Sequence, residues 1–166
     1  MDAIQVGIIM GSDSDLSTMT KCAEILKQFG IPYYMTVASA HRTPDRVAAV
    51  VKRAEEEDWK VIVAGAGMAA HLAGVVAAHT IIPVIGVPMP SSDLNGLDAL
   101  LSTVQMPGGV PVATMGLGSA GAKNAGLLAV RILATSDQAL RDKLREYRDR
   151  EARSVIEKAE KIESTQ

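Results

Sequence analysis

His41 and Arg42 stand side by side in the hexapeptide Ser39-Ala40-His41-Arg42-Thr43-Pro44. A histidine can give and take a proton near neutral pH, and an arginine is a permanent cation suited to phosphate. Either residue alone has an ordinary reading, as a structural imidazole or a surface charge. A second cluster is Gly11-Ser12-Asp13-Ser14-Asp15. Its backbone N–H groups, at the start of a helix, form a natural anion site. Ser12 and Ser14 can donate to phosphate oxygens. Asp13 and Asp15 would repel them and suit sugar hydroxyls better; Ser14 or Asp15 could equally cap the helix. The third cluster is Gly65-Ala66-Gly67-Met68-Ala69-Ala70-His71. It matches GxGxxA only superficially, because no acidic residue is convincingly placed about 20 positions on and the strand before it is the third. It reads better as backbone, Gly67 and Ala70 included, passing close to a small planar ligand. His71 either touches that ligand or is a buried helix histidine, and His79 reads as structural.

All three clusters follow short apolar runs that read as strands, at 6–10, 33–37 and 61–64. In an open α/β sheet, ligands bind at such carboxyl ends. Thr43 is a good N-cap, Pro44 suits the first helical position and Asp45 complements the dipole. Val47, Val50, Val51 and Ala54 then share one helix face. The remaining elements are expected as helices at about 16–29, 43–57, 69–78, 96–103 and 122–134, with strands at 83–87 and 110–114. Residues 88–95 and 116–121 read as loops. Strand alternating with helix predicts a three-layer α/β/α fold around a five-stranded parallel sheet in flavodoxin-like order.

The chain has 166 residues, enough for one domain with a proper core, and residues 1–166 are expected to form it. Hydrophobic residues make up 48% but aromatics only 3%, so the core must be aliphatic, as buried parallel strands require. The net charge of −2 carries no bulk signal for nucleic acid or an anionic membrane. Cys22 is the single cysteine, so no disulfide framework exists within the chain, which fits a reducing, cytoplasmic setting. The histidines are not at ligand spacing, so no metal site is expected. No P-loop or GxSxG elbow is present. Residues 1–6 lack the features of a signal peptide, and the apolar stretch 75–87 is too short and too interrupted to span a bilayer. A long helix over 137–163 carries only a thin apolar stripe: Leu140, Leu144, Tyr147, Val155, Ala159 and Ile162. It suits either a solvated terminal helix or an oligomer contact.

These clusters, together with Gln105-Met106-Pro107-Gly108-Gly109-Val110-Pro111, stand in the order and spacing of the PurE family. From about Val6 to Arg145 the chain resembles class I members, the N5-carboxyaminoimidazole ribonucleotide mutases of purine synthesis. The resemblance implies a cofactor-free reaction that moves a carboxylate from the exocyclic nitrogen of an aminoimidazole ribonucleotide to ring carbon C4, through decarboxylation and recapture of CO2. It implies His41 as general acid/base, with Ser12, Asp15, Arg42, Ser39, Gly67 and Ala70 binding the ribonucleotide and His71 in an accessory role. It further implies a homo-octamer, with the terminal helix reaching neighbouring subunits. Functional coupling to the N5-carboxyaminoimidazole ribonucleotide synthetase belongs to the same expectation. Two positions depart from the commonest pattern: Met68 where many relatives carry a small residue, and Ala73 where many carry proline. Class II members, which carboxylate aminoimidazole ribonucleotide directly, differ at the third cluster, so class I is favoured. A ribonucleotide-binding module without catalysis is the other alternative, and the His41–Arg42 pair argues against it.

Overall fold

The computed structural model describes residues 3–91 and 93–165. The chain groups into two compact units, 1–130 and 131–166. The first is built on five parallel strands: β1 (Val6–Met10), β2 (Tyr33–Val37), β3 (Val61–Gly67), β4 (Val84–Met89) and β5 (Ala113–Thr114). Their spatial order is β2-β1-β3-β4-β5, the flavodoxin-like order. The helices are α1 (Leu16–Phe29), α2 (Pro44–Glu56), α3 (Leu72–Ala78), α4 (Leu97–Val104), α5 (Gly118–Leu133) and α6 (Gln138–Glu163).

The sheet is aliphatic and covered on both faces. Every residue of β1 and β4 is buried, the pattern of strands with a helix on each side. Side chains alternate, so Ile9, Ile62, Ala64 and Val84 meet Val47, Val50, Val51 and Ala54 of α2 and Leu72, Ala73 and Val76 of α3. Trp59 is the largest member of that layer. It fits because Gly7 has no side chain: a β-carbon there would lie 2.5 Å from the indole ring. On the opposite face Met19 of α1 lies under Gly65, and α5 packs so closely on α1 that a β-carbon at Gly126 would come within 2.9 Å of the Cys22 carbonyl.

Several element boundaries differ from the sequence expectation, each for a local reason. β3 runs on through Gly67, because Ala66 and Gly67 pair with Pro88 and Met89. β4 accepts Pro88 because β5 pairs only as far as Gly86, which leaves that side of the ladder open. The third helix therefore starts at Leu72 rather than 69, after Met68 turns the chain at φ +55°. β5 is two residues long instead of five; Pro111 lacks an N–H and Gly109 turns at φ +96°. α5 starts at Gly118, inside the stretch expected as loop. Gly121 permits this, since a β-carbon there would overlap the Gly116 carbonyl.

In the second unit Asp137 caps α6, accepting from the Leu140 N–H at 3.0 Å. Arg141 donates to the Ala134 carbonyl at 2.6 Å and also to that of Thr135, closing the turn before α6. Val155, Ile156 and Ile162 on α6 are exposed. Among the described residues no helix is long and apolar enough to cross a membrane.

Candidate functional site

A cavity of about 540 Å³ opens where the chain leaves β1, β2, β3 and β4. This is the topological switch point of the sheet, where successive crossovers diverge and leave a crevice. The volume suits a small molecule the size of a nucleotide.

The β2–α2 junction supplies an imidazole and a guanidinium, His41 and Arg42. The Ser39 N–H donates to Thr43 Oγ1 at 2.9 Å, and the Thr43 N–H donates to the Ser39 carbonyl at 2.9 Å. Thr43 occupies the N-cap position, but its hydroxyl is committed to this turn and makes no side-chain cap. The turn lifts His41 and Arg42 to the cavity. Ser39 Oγ accepts from the Arg42 backbone N–H at 3.2 Å and from Nε at 3.4 Å, while Arg42 Nη2 donates to the Gly11 carbonyl at 2.9 Å. The guanidinium is thus held between the first two junctions. Ser39, expected to bind ligand, lines the cavity and also orients Arg42.

At the β1–α1 junction a single 3-10 turn, Asp13–Asp15, precedes α1. Ser12 is its cap, accepting from the Ser14 N–H at 3.3 Å and the Ser14 hydroxyl at 2.9 Å. Ser12, rather than Ser14 or Asp15, therefore does the capping, and Asp15 makes no cap bond to α1. Asp15 lines the cavity yet is buried, and burial raises its carboxyl above the ordinary value. The Ser12 backbone N–H, the Ser14 hydroxyl and the Arg42 charge offset part of that rise. A carboxylate held desolvated without a capping role is poised to accept from hydroxyls brought by a ligand.

The end of β3 forms the opposite wall. Gly67 approaches Ser91 so closely that a β-carbon would lie 1.8 Å from Ser91 Oγ. Ala66, Gly67, Met68, Ala69, His71 and Leu72 line the cavity. Ala70 is buried and stands behind this wall, not on it. His71, at the N-cap of α3, brings Nδ1 to 2.5 Å from His41 Nε2, with the rings edge-on at 90°. His79 is exposed at the far end of α3. Asp93 lies in an exposed turn outside the lining. Among the described residues no group of three or more His, Cys, Asp or Glu is arranged to hold a metal.

Sequence reasoning passed over Ser91, which lines the cavity just beyond β4. Its loop was marked by Pro and Ser content; the rule that ligands meet strand ends would have singled it out.

Fold and site define a flavodoxin-like α/β protein whose switch-point crevice joins an anion-ready turn, a fixed guanidinium and a histidine pair. The chain belongs to the AIR carboxylase family, whose model matches residues 5–154. It is 57% identical to an N5-carboxyaminoimidazole ribonucleotide mutase of Thermotoga maritima, over 96% of this chain and 92% of that protein. It is 50% identical to the mutase of Escherichia coli K12, over 92% of this chain and 90% of that protein. A phosphoribosylaminoimidazole carboxylase of Schizosaccharomyces pombe is 53% identical over 95% of this chain, which spans only 28% of that larger protein. Among solved structures, Treponema denticola PurE superposes with a TM-score of 0.84 at 35% identity, covering 92% of this chain and 94% of that one.

Proposed function

We propose that this chain is an N5-carboxyaminoimidazole ribonucleotide mutase acting in purine biosynthesis. The observation that carries the reading is His41, within 2.5 Å of His71 and next to the anchored Arg42, in a switch-point cavity. The mutase names of relatives that share half or more of their residues with this chain support it.

Arg42 and the Ser12 turn bind the 5′-phosphate, and Asp15 accepts from the ribose hydroxyls. This places the aminoimidazole against the β3 wall. The exocyclic N–C bond breaks, its electron pair stays on nitrogen, and CO2 departs. His41 gives nitrogen its proton. Ring carbon C4 then attacks the trapped CO2, and the neutral imidazole takes the C4 proton. One proton leaves and one returns, so the cycle closes on the substrate and His41 alone. His71, facing His41, holds the ring in one tautomer during both transfers.

The enzyme is proposed to work as a cytoplasmic homo-octamer, in functional coupling with the synthetase that makes its substrate. Self-association is supported by a stripe on α4: Leu97, Leu101 and Val104 are 54%, 48% and 49% exposed at i, i+4 and i+7. The buried free thiol of Cys22 supports a reducing compartment.

A paired assay tests the reaction. One arm receives N5-carboxyaminoimidazole ribonucleotide; the other receives aminoimidazole ribonucleotide with moderate bicarbonate. Fast appearance of 4-carboxyaminoimidazole ribonucleotide in the first arm alone is expected. Efficient conversion in the second arm would make the chain a direct carboxylase, the alternative that the S. pombe relative's name raises. Tight binding of either nucleotide with no product would make it a binding module.

A further inference from the structure

The lining of the cavity holds one large apolar side chain that is open to solvent. Met68 is 62% exposed, whereas Leu72, the other large apolar lining residue, is 2% exposed and belongs to the core. Met68 also sits at φ +55°, a backbone region that a β-carbon disfavours and that glycine occupies freely. The chain thus carries a bulky apolar side chain, exposed and conformationally costly, at a position where glycine would be unstrained. An outlier of this kind at a ligand cavity points to a use for the side chain.

Resting on the mutase reading above, we propose that Met68 folds over the bound imidazole and sets the partition of the CO2 intermediate between recapture and escape. Between the two half-reactions CO2 is neutral and bonded to nothing. The other accessible walls mix hydroxyls, a guanidinium and imidazoles with the small side chains of Ala40, Ala66 and Ala69, none of which is long enough to reach over a bound ring. Methionine is unbranched and flexible enough to move from solvent onto a planar ring, and its thioether is apolar and polarizable. Covering the ring excludes water and keeps CO2 beside C4. Met68 acts on partition and moves no proton, so its loss is read in the origin of the product's carboxylate rather than in proton transfer.

The test uses the full-length protein, Met68→Gly and Met68→Leu. Each receives unlabelled N5-carboxyaminoimidazole ribonucleotide in buffer containing ¹³C-bicarbonate equilibrated by carbonic anhydrase. At early conversion, ¹³C in the 4-carboxyaminoimidazole ribonucleotide and free aminoimidazole ribonucleotide are measured against a no-enzyme blank. The natural chain and Met68→Leu are expected to retain the substrate's own carbon. Met68→Gly is expected to raise both label uptake and free aminoimidazole ribonucleotide about threefold or more. Glycine suits the backbone at this position, so Met68→Gly should melt with the natural chain, and the melt separates leakage from misfolding. Equal label in Met68→Gly and the natural chain would overturn the proposal, as would a Met68→Leu that leaks like Met68→Gly. If the natural chain forms no product from this substrate, the mutase reading fails and the proposal falls with it.

Discussion

His41 Nε2 and His71 Nδ1 face each other at 2.5 Å, 30 residues apart in sequence. At that distance one nitrogen donates and the other accepts, so the two facing atoms hold one proton between them. On the proposed mechanism this leaves His41 Nδ1 as the nitrogen that exchanges protons with the substrate. Removing each imidazole should therefore have unequal effects. His41→Asn should bind nucleotide normally and lose turnover by about 100-fold or more, as for loss of an acid/base group. His71→Asn should cost roughly 10-fold, because the acid/base group remains and only its orientation is loosened. Single-turnover kinetics on both variants checks this; the reverse ranking would transfer the proton-transfer role to His71.

Arg42 is held by the Gly11 carbonyl and Ser39 Oγ before any ligand arrives, so little ordering cost attends binding. Arg42→Ala should weaken ribonucleotide binding by about 1.5–3 kcal/mol, the range for a hydrogen bond to a charged group, or roughly 10- to 150-fold. The turnover of bound substrate should change less. Titration calorimetry with aminoimidazole ribonucleotide, and with the dephosphorylated nucleoside as control, reads this out. The loss should vanish with the nucleoside.

How far the site was readable in advance depended on where each side chain's partner lies. Strands 6–10 and 33–37 and the end of α1 were legible because Gly11 follows the first run, Gly30 ends the helix and Pro32 precedes the second run, and these residues act locally. The Gly-Ala composition of residues 65–70 fits a strand end, a loop or a helix start equally well. Pairing with β4, a contact some 22 residues distant, decided it. Likewise Thr43 is a fitting cap by type, yet its hydroxyl turns back to Ser39, in the turn that carries His41 and Arg42. The His41–His71 contact and the place of Ser91 come from tertiary packing, which spacing along one chain does not encode.

Asp15 gives a pH-dependent test. Burial raises its carboxyl above the ordinary value, so the folded state binds that proton more tightly than the unfolded chain. The contribution to stability is then fully present below the unfolded carboxyl range and is lost as pH rises through the raised folded value. Wherever this carboxyl is ionised, the free protein carries a partly desolvated charge. Asp15→Asn should match or exceed the natural chain in Tm at pH 7, lose that advantage under acid, and bind ribonucleotide more weakly. Thermal melts across pH, with and without ligand, check it. A variant less stable at pH 7 would mean that the Ser12, Ser14 and Arg42 interactions outweigh burial.

The exposed stripe of α4 should be an interface between copies of this chain. Leu97, Leu101 and Val104 present adjacent apolar side chains, and a charge at the centre would have to be desolvated on assembly. Leu101→Asp should shift the protein from its oligomer to smaller species by sedimentation velocity, with the circular dichroism spectrum unchanged. An unaltered sedimentation coefficient would place the interface elsewhere.

Gly67 and Ser91 should behave as a coupled pair. A β-carbon at residue 67 would lie 1.8 Å from Ser91 Oγ and 3.2 Å from its Cβ. Gly67→Ala must therefore push Ser91 or the β3 wall aside, and a misplacement of about 1 Å near reacting atoms can cost about 100-fold. Ser91→Ala removes the overlapping oxygen and leaves only the tighter-than-usual carbon contact. The double variant should then recover most of the kcat/KM lost by Gly67→Ala, giving a non-additive double-mutant cycle. If Ser91→Ala alone loses as much as Gly67→Ala and the double variant recovers nothing, the Ser91 hydroxyl itself is needed by the ligand. The glycine would then serve to make room for that hydroxyl, not only for the wall.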